Sequence, residues 1–191
     1  FPDVGNHALR KINSSGIIST IAGYGVAGFS GDGGPAALAQ LKSPNGVAAD
    51  HLGNLYVADK ENNVIRKINT SGIISTFAGT PGFLGDGFSG DGGPATAAKM
   101  SGPTDVAVDQ AGNVYVCDYG NNRIRKISTA GIISTFAGNG NTNSWDISPA
   151  FYNGDWGAAT KSTIPWPKSV FCKGNILYVV DGNHRVRKIF L

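Results

Sequence analysis

The chain has 191 residues, enough for one domain or a modest repeat array; 41% are hydrophobic and 15% charged, against a usual charged share of about 25%. Its 28 glycines, about double the usual ~7%, lack the three-residue period of collagen and suit a turn-rich β protein. A formal net charge of +3 supports no strong claim on nucleic acid or anionic membrane, and the longest apolar run, Ile176–Val180, falls far below the ~18 residues of a transmembrane helix.

An internal repeat sets the frame for reading the chain in order. Arg-Lys-Ile recurs at Arg10, Arg66, Arg125 and Arg187, at spacings of 56, 59 and 62 residues. Gly-Ile-Ile-Ser-Thr follows three of the copies, at Gly16, Gly72 and Gly131, and a Leu/Val-Tyr-Val strand precedes three. The first unit, residues 1–22, is partial. It reads as a third strand over 7–12 and a fourth over 17–22, joined by the turn Asn13-Ser14-Ser15, a glycosylation sequon.

Residues 23–43 form an insert containing Phe29-Ser30-Gly31-Asp32-Gly33-Gly34-Pro35-Ala36. Glycines permit turns, and Pro35 is placed to begin a helix; the Ala-rich stretch 35–41 predicts about two helical turns burying Leu38 and Leu41. Asp32 has a second reading, as a ligand for calcium or sugar hydroxyls. One carboxylate per loop is far from the six to eight oxygens calcium takes.

The next unit, 44–79, is complete, with His51 in its first hairpin, Asp59 after its second strand, Arg66 in its third and the sequon Asn69-Thr70-Ser71 in its last turn. A second insert, 80–102, repeats the loop as Phe88-Ser89-Gly90-Asp91-Gly92-Gly93-Pro94-Ala95, with a helix expected over 94–100 burying Met100. Each insert runs 15 residues from its aromatic to the next proline, a constancy that implies defined structure.

The unit 103–138 shows the pattern most clearly. Thr104-Asp105-Val106-Ala107-Val108-Asp109 alternates apolar with polar, Gln110-Ala111-Gly112-Asn113 turns the chain, and Val114-Tyr115-Val116-Cys117 returns. Asp118-Tyr119-Gly120-Asn121 turns again, Arg123 to Ile127 makes a third strand, and a fourth follows the turn at Ser128 to Gly131. Turns of about four residues enforce an antiparallel meander, and four-stranded meanders at this period are the blades of a β-propeller rather than the shorter rungs of a parallel β-helix.

Gly112-Asn113-Val114-Tyr115-Val116-Cys117-Asp118, followed by Asn121-Asn122-Arg123-Ile124-Arg125-Lys126-Ile127, resembles the signature of the NHL repeat family. The resemblance covers nearly the whole chain; Cys117 and Val180 stand where the second copy has Ala58, and Phe171-Cys172 where other units have Ala49-Asp50 and Val108-Asp109. It implies an all-β propeller segment of NHL type. Such propellers serve as protein-binding, RNA-binding and occasionally catalytic modules. The zinc-binding histidines of NHL-like amidating lyases have no matching set here.

The third insert, 139–165, is the longest. It holds a degenerate loop with Asp155 and adds Trp145, Phe151, Tyr152 and Trp156, with Trp166 just after. These aromatics suit stacking on a sugar or a partner surface; the alternative is packing over the insert and its neighbouring blade. The last unit, 166–191, supplies three strands and carries Asp181 and Arg187.

Several side chains recur with the repeat, which points to structural work. Asp59, Asp118 and Asp181 are expected to receive turn hydrogen bonds and to pair with Arg66, Arg125 and Arg187; a basic stripe for RNA built on Arg123/Arg125 and Arg185/Arg187 is the alternative. His7, Asn63, Asn122 and His184 share one position and read as turn caps. Cys117 and Cys172 read as free thiols, with a disulfide left open. No Ser-His-Asp order stands out, and no metal or cofactor is expected.

The reading is therefore a non-enzymatic recognition or structural module. Its rivals are a hydrolase or lyase with a central-channel site and an RNA-binding module. Paired sequons at outer turns, and a start at Phe1 rather than methionine, favour an extracellular or secreted chain. Counting gives 13 strands, a little over three blades, so exposed sheet edges are expected to seek a second copy, as a half-ring dimer or filament, or the missing blades of a longer chain; glycans or protein are further candidates.

Overall fold

The computed structural model describes residues 1–141 and 157–191, which contain fourteen strands in four antiparallel sheets. The first sheet holds β1 (Pro2–Asp3), β2 (Ala8–Ile12) and β3 (Ile18–Ala22). The second holds β4 (Pro44–Ala49), β5 (Leu55–Asp59), β6 (Val64–Ile68) and β7 (Ile74–Ala78). The third holds β8 (Val106–Val108), β9 (Val114–Asp118), β10 (Arg123–Ile127) and β11 (Ile133–Ala137), and the fourth β12 (Ser169–Lys173), β13 (Ile176–Val180) and β14 (Val186–Phe190). Strands pair in sequence order within each sheet, and β4 lies against β8, and β8 against β12. The first strands thus line one common edge while the fourth strands fan outward, the arrangement of propeller blades.

Alternation along each strand explains why sheets stack on both sides. On β5, Val57 packs towards the first sheet with Leu9 and Leu41, while Tyr56 and Ala58 pack towards the third with Val106, Val114 and Val116. On β9, Tyr115 and Cys117 turn the other way, onto Val170, Leu177 and Val179 of the fourth sheet. Tyr56 meets Phe77 edge to face at 4.8 Å, and Tyr115 meets Phe136 at 5.0 Å. Inner strands approach so closely that a Cβ on Gly46 would sit 2.6 Å from Asp105 Cα.

The count exceeds the thirteen strands read from the sequence, because Pro2–Asp3 pairs with Leu9 and Ala8 as the end of a second strand. The inserts also differ from the expected two-turn helices. In place of each expected helix stands one 3-10 turn, at Ala36–Leu38 and Ala95–Ala97, after which the chain is extended from Ala39 and Ala98. Extension places Ala39 and Ala98 within 2.8 Å of the Cβ positions of Gly31 and Gly90, whose φ values of +91 and +89 only glycine adopts freely. Leu41 and Met100 are fully buried, but Leu38 is 69% exposed.

His7, Asn63, Asn122 and His184 all adopt the left-handed conformation, with φ of 50 to 60. Three of these side chains join successive units: Ser43 N–H donates to His7 Nδ1 (3.1 Å), Gly102 N–H to Asn63 Oδ1 (2.9 Å) and Trp166 N–H to Asn122 Oδ1 (2.8 Å). The acceptor ends of these side chains thus stitch each sheet to the strand entry of the next.

Candidate functional site

Asp59 closes β5 and Arg66 lies mid-way along β6, so the antiparallel register brings both to one side of the second sheet. Both side chains are fully buried, with Arg66 Nη1 3.6 Å from Asp59 Oδ2. The insert completes the site from the other side. Arg66 Nη2 donates to Asp32 Oδ1 (2.6 Å) and Ser30 O (3.1 Å), Nη1 donates to Gln40 O (3.3 Å), and the Phe29 ring covers the guanidinium at 4.6 Å. The other oxygen of Asp32 accepts from Thr76 N–H and Thr76 Oγ1. The chain, extended from Ala39, brings the Gln40 carbonyl to Arg66.

The third sheet repeats the arrangement. Arg125 Nη2 donates to Asp91 Oδ1 (2.7 Å) and Ser89 O (3.1 Å), and Nη1 donates to Lys99 O (3.2 Å) and Asp118 Oδ2 (3.2 Å). Asp91 Oδ2 accepts from Thr135 Oγ1, and Phe88 covers both Arg125 and Arg123. A buried guanidinium is tolerated only when its charge and donors are met; here Nε alone has no hydrogen-bond partner in either copy. In the fourth sheet Arg187 Nε donates to Asp181 Oδ2 (3.2 Å) and Nη2 to Thr163 O (3.3 Å). In the first, Arg10 Nε donates to Asp3 Oδ2 (3.1 Å).

Burial pushes the Asp59 carboxyl up to about 6, against the lowering effect of Asn62, the Lys42 N–H and Arg66. Asp118 rises to about 6 for the same reason, opposed by the Ser101 N–H, Asn121 and Arg125. Both remain anionic at neutral pH, as the ion pairs require. Burial likewise raises both thiols: Cys117 lies in the core between the third and fourth sheets, Cys172 is partly buried, and both are free.

Asp32 and Asp91, structural positions of the repeat for which a ligand role is the second reading, have both oxygens engaged by arginine and threonine. No group of three or more metal-ligating side chains occurs among the described residues. The RNA stripe loses Arg125, which is fully buried, and Arg123 donates to the Asn121 and Asn139 carbonyls. Asn13 and Asn69 are exposed, and each Oδ1 holds its turn, accepting from Ser15 and Ile17 or from Ser71 and Ile73. Trp166 is half-buried at φ 43, against Gly182. Trp145, Phe151, Tyr152, Asp155 and Trp156 lie outside the described residues.

The insert aspartate as the arginine's second partner was missed in the sequence. Its signal was present: Asp32 precedes Arg66, and Asp91 precedes Arg125, by 34 residues each. The Asp50-Asn54-Tyr56 and Asp109-Asn113-Tyr115 hydrogen-bond groups, which close the first hairpins, were also missed.

The family model described as the Teneurin NHL domain matches residues 27–86 and 84–189. Teneurin-1 of Mus musculus is 41% identical over 98 residues, 46% of this chain and 4% of the relative; Teneurin-4 of Homo sapiens is 43% identical over 99 residues, 47% and 4%. The match thus spans about 4% of the length of these relatives. A structural genomics protein of unknown function from Bacteroides thetaiotaomicron superposes over 96% of this chain and 42% of its own, with a TM-score of 0.68 at 20% identity. The virginiamycin B lyase of Staphylococcus aureus covers 99% of this chain and 50% of its own at a TM-score of 0.51 and 14% identity. At these identities the structural likenesses speak for the fold alone.

Proposed function

Since the chain belongs to the Teneurin NHL domain family, we propose that it is a non-enzymatic, extracellular recognition module that works by packing its sheet faces against further β sheets. The observation carrying this reading is how the polar residues are used. Arg66 binds Asp59 of its own hairpin and Asp32 of the preceding insert, and Arg125 binds Asp118 and Asp91 in the same way, so these groups pair with one another instead of converging on a cavity. Catalysis needs such groups aimed at a reacting atom. Here they hold inserts to sheets.

The working surface is the outward face of the fourth sheet. Phe171, Val180, Val186 and Phe190 are 38 to 71% exposed there, on the side that in the third sheet carries Tyr115 and packs on a neighbour. An exposed sheet face with these apolar side chains, Lys188 lying among them over the Phe190 ring, marks an interaction surface. Its partner is a second copy, as a half-ring dimer or a filament, or further blades of the same polypeptide. Exposed sequons at Asn13 and Asn69 support an extracellular setting, with glycans on outer turns away from that face. Light scattering on the chain and on a Phe171→Glu/Phe190→Glu variant tests the reading: the wild type associates and the variant is a folded monomer. Equal masses for both at micromolar concentration would contradict it.

A further inference from the structure

The outer edge of the first sheet repeats the elements by which the second and third sheets each hold a loop. In the second sheet Asn62 Nδ2 donates to Gly28 O (2.8 Å), Arg66 and Thr76 grip Asp32, and the β7 edge takes the loop as an added strand. Gly33 N–H donates to Ile74 O (2.8 Å), Ile74 N–H to Gly34 O (3.0 Å) and Ala36 N–H to Gly72 O (2.8 Å). In the third sheet Asn121, Arg125, Thr135, Ile133 and Gly131 make the matching set of contacts with Gly87, Asp91 and residues 92–95.

The first sheet presents Asn6, Arg10, Thr20, Ile18 and Gly16 at the same positions. Here Arg10 Nη1 donates to Thr20 Oγ1 at 2.6 Å, and its side chain is 30% exposed where Arg66 and Arg125 are fully buried. Ile18 is 56% exposed, whereas Ile74 and Ile133 are covered completely. A groove of about 390 Å³ runs over Asn6, Arg10, Thr20 and Tyr24.

We propose that this groove is a docking site for an extended peptide segment carrying Gly-Asp-Gly-Gly-Pro, which adds to the β3 edge and places its aspartate on Arg10 and Thr20. The two seated loops define the chemistry of the occupant. Backbone bonds to Ile18 and Gly16 supply edge-strand pairing, the carboxylate supplies the charge-assisted contact, and the Pro-Ala end covers Ile18. The loops at 29–36 and 88–95 are already held by the second and third sheets, so the segment is a different one. The groove lies on the first sheet, at the opposite end of the sheet series from the fourth-sheet face, and stands whether or not that face associates.

The probe is a synthetic peptide of residues 29–41 titrated into the 191-residue chain, followed by amide chemical shifts. One peptide binds per chain, the Ile18 amide shifts and gains exchange protection, and an Asp→Asn peptide binds about tenfold more weakly. Thr20→Val and Arg10→Gln weaken binding similarly; the altered peptide keeps the test valid if Arg10→Gln unfolds. No binding at millimolar peptide, equal affinity for the Asn peptide, or an Arg10-dependent dimer that the peptide does not dissociate would each overturn the proposal.

Discussion

Asp32 and Arg66 meet at 2.6 Å although 34 positions separate them, and the contact ties the loop leaving the first sheet to the outer half of the second. The acid is part-exposed and the guanidinium fully buried. The pair therefore acts as a clasp whose inner half cannot return to water without unfolding the site.

Replacing the inner half is expected to cost more than replacing the outer. Arg125→Met strands the buried Asp118 carboxylate and lowers stability by about 3–5 kcal/mol. Asp91→Ala leaves Arg125 paired with Asp118 and costs about 1–3 kcal/mol. Urea unfolding of both variants checks the order; a larger loss for Asp91→Ala would contradict it.

Asp59 and Asp118 have folded values near 6, above the 3.8 of an ordinary aspartate. The folded chain holds protons there that the unfolded chain releases, so these groups contribute stability that is complete below about 3.8 and lost as pH rises through about 6. Carboxyl NMR titration should give both midpoints near 6. Midpoints below the ordinary value would mean that pairing outweighs burial.

Gly46→Ala is expected to destabilise by about 1–3 kcal/mol, because the added Cβ meets the Asp105 backbone of the neighbouring inner strand. Gly5→Ala has open space and serves as the neutral control. Thermal melts of the two separate packing from a general glycine effect.

The two outer-turn asparagines are expected to carry glycans after passage through a eukaryotic secretory pathway. Each uses Oδ1 for its turn, while no bond engages its amide nitrogen among the described residues. An intact mass equal to that of the bare polypeptide would refute this.

Legibility in the sequence followed the range over which each feature acts. Strands such as β9 and β10 were visible because alternation and turn residues are local, and the Asp118–Arg125 pair because both belong to one hairpin. The inserts misled because alanine favours helix locally, whereas the Gln40 and Lys99 carbonyls are drawn out to distant arginines. Pro2–Asp3 is too short to alternate, and only its pairing with β2 identifies it. The left-handed His7 and Asn63 were legible as turn residues, but their acceptors reach units 36 and 39 positions away, beyond any local pattern.

Sedimentation velocity of the 191-residue chain, across a range of micromolar concentrations, tests most directly whether it works by joining its sheet faces to others. The exposed Phe171, Val186 and Phe190 predict a sedimentation coefficient that rises with concentration as the fourth sheet finds a partner. A well-folded monomer whose coefficient stays constant throughout would contradict the account.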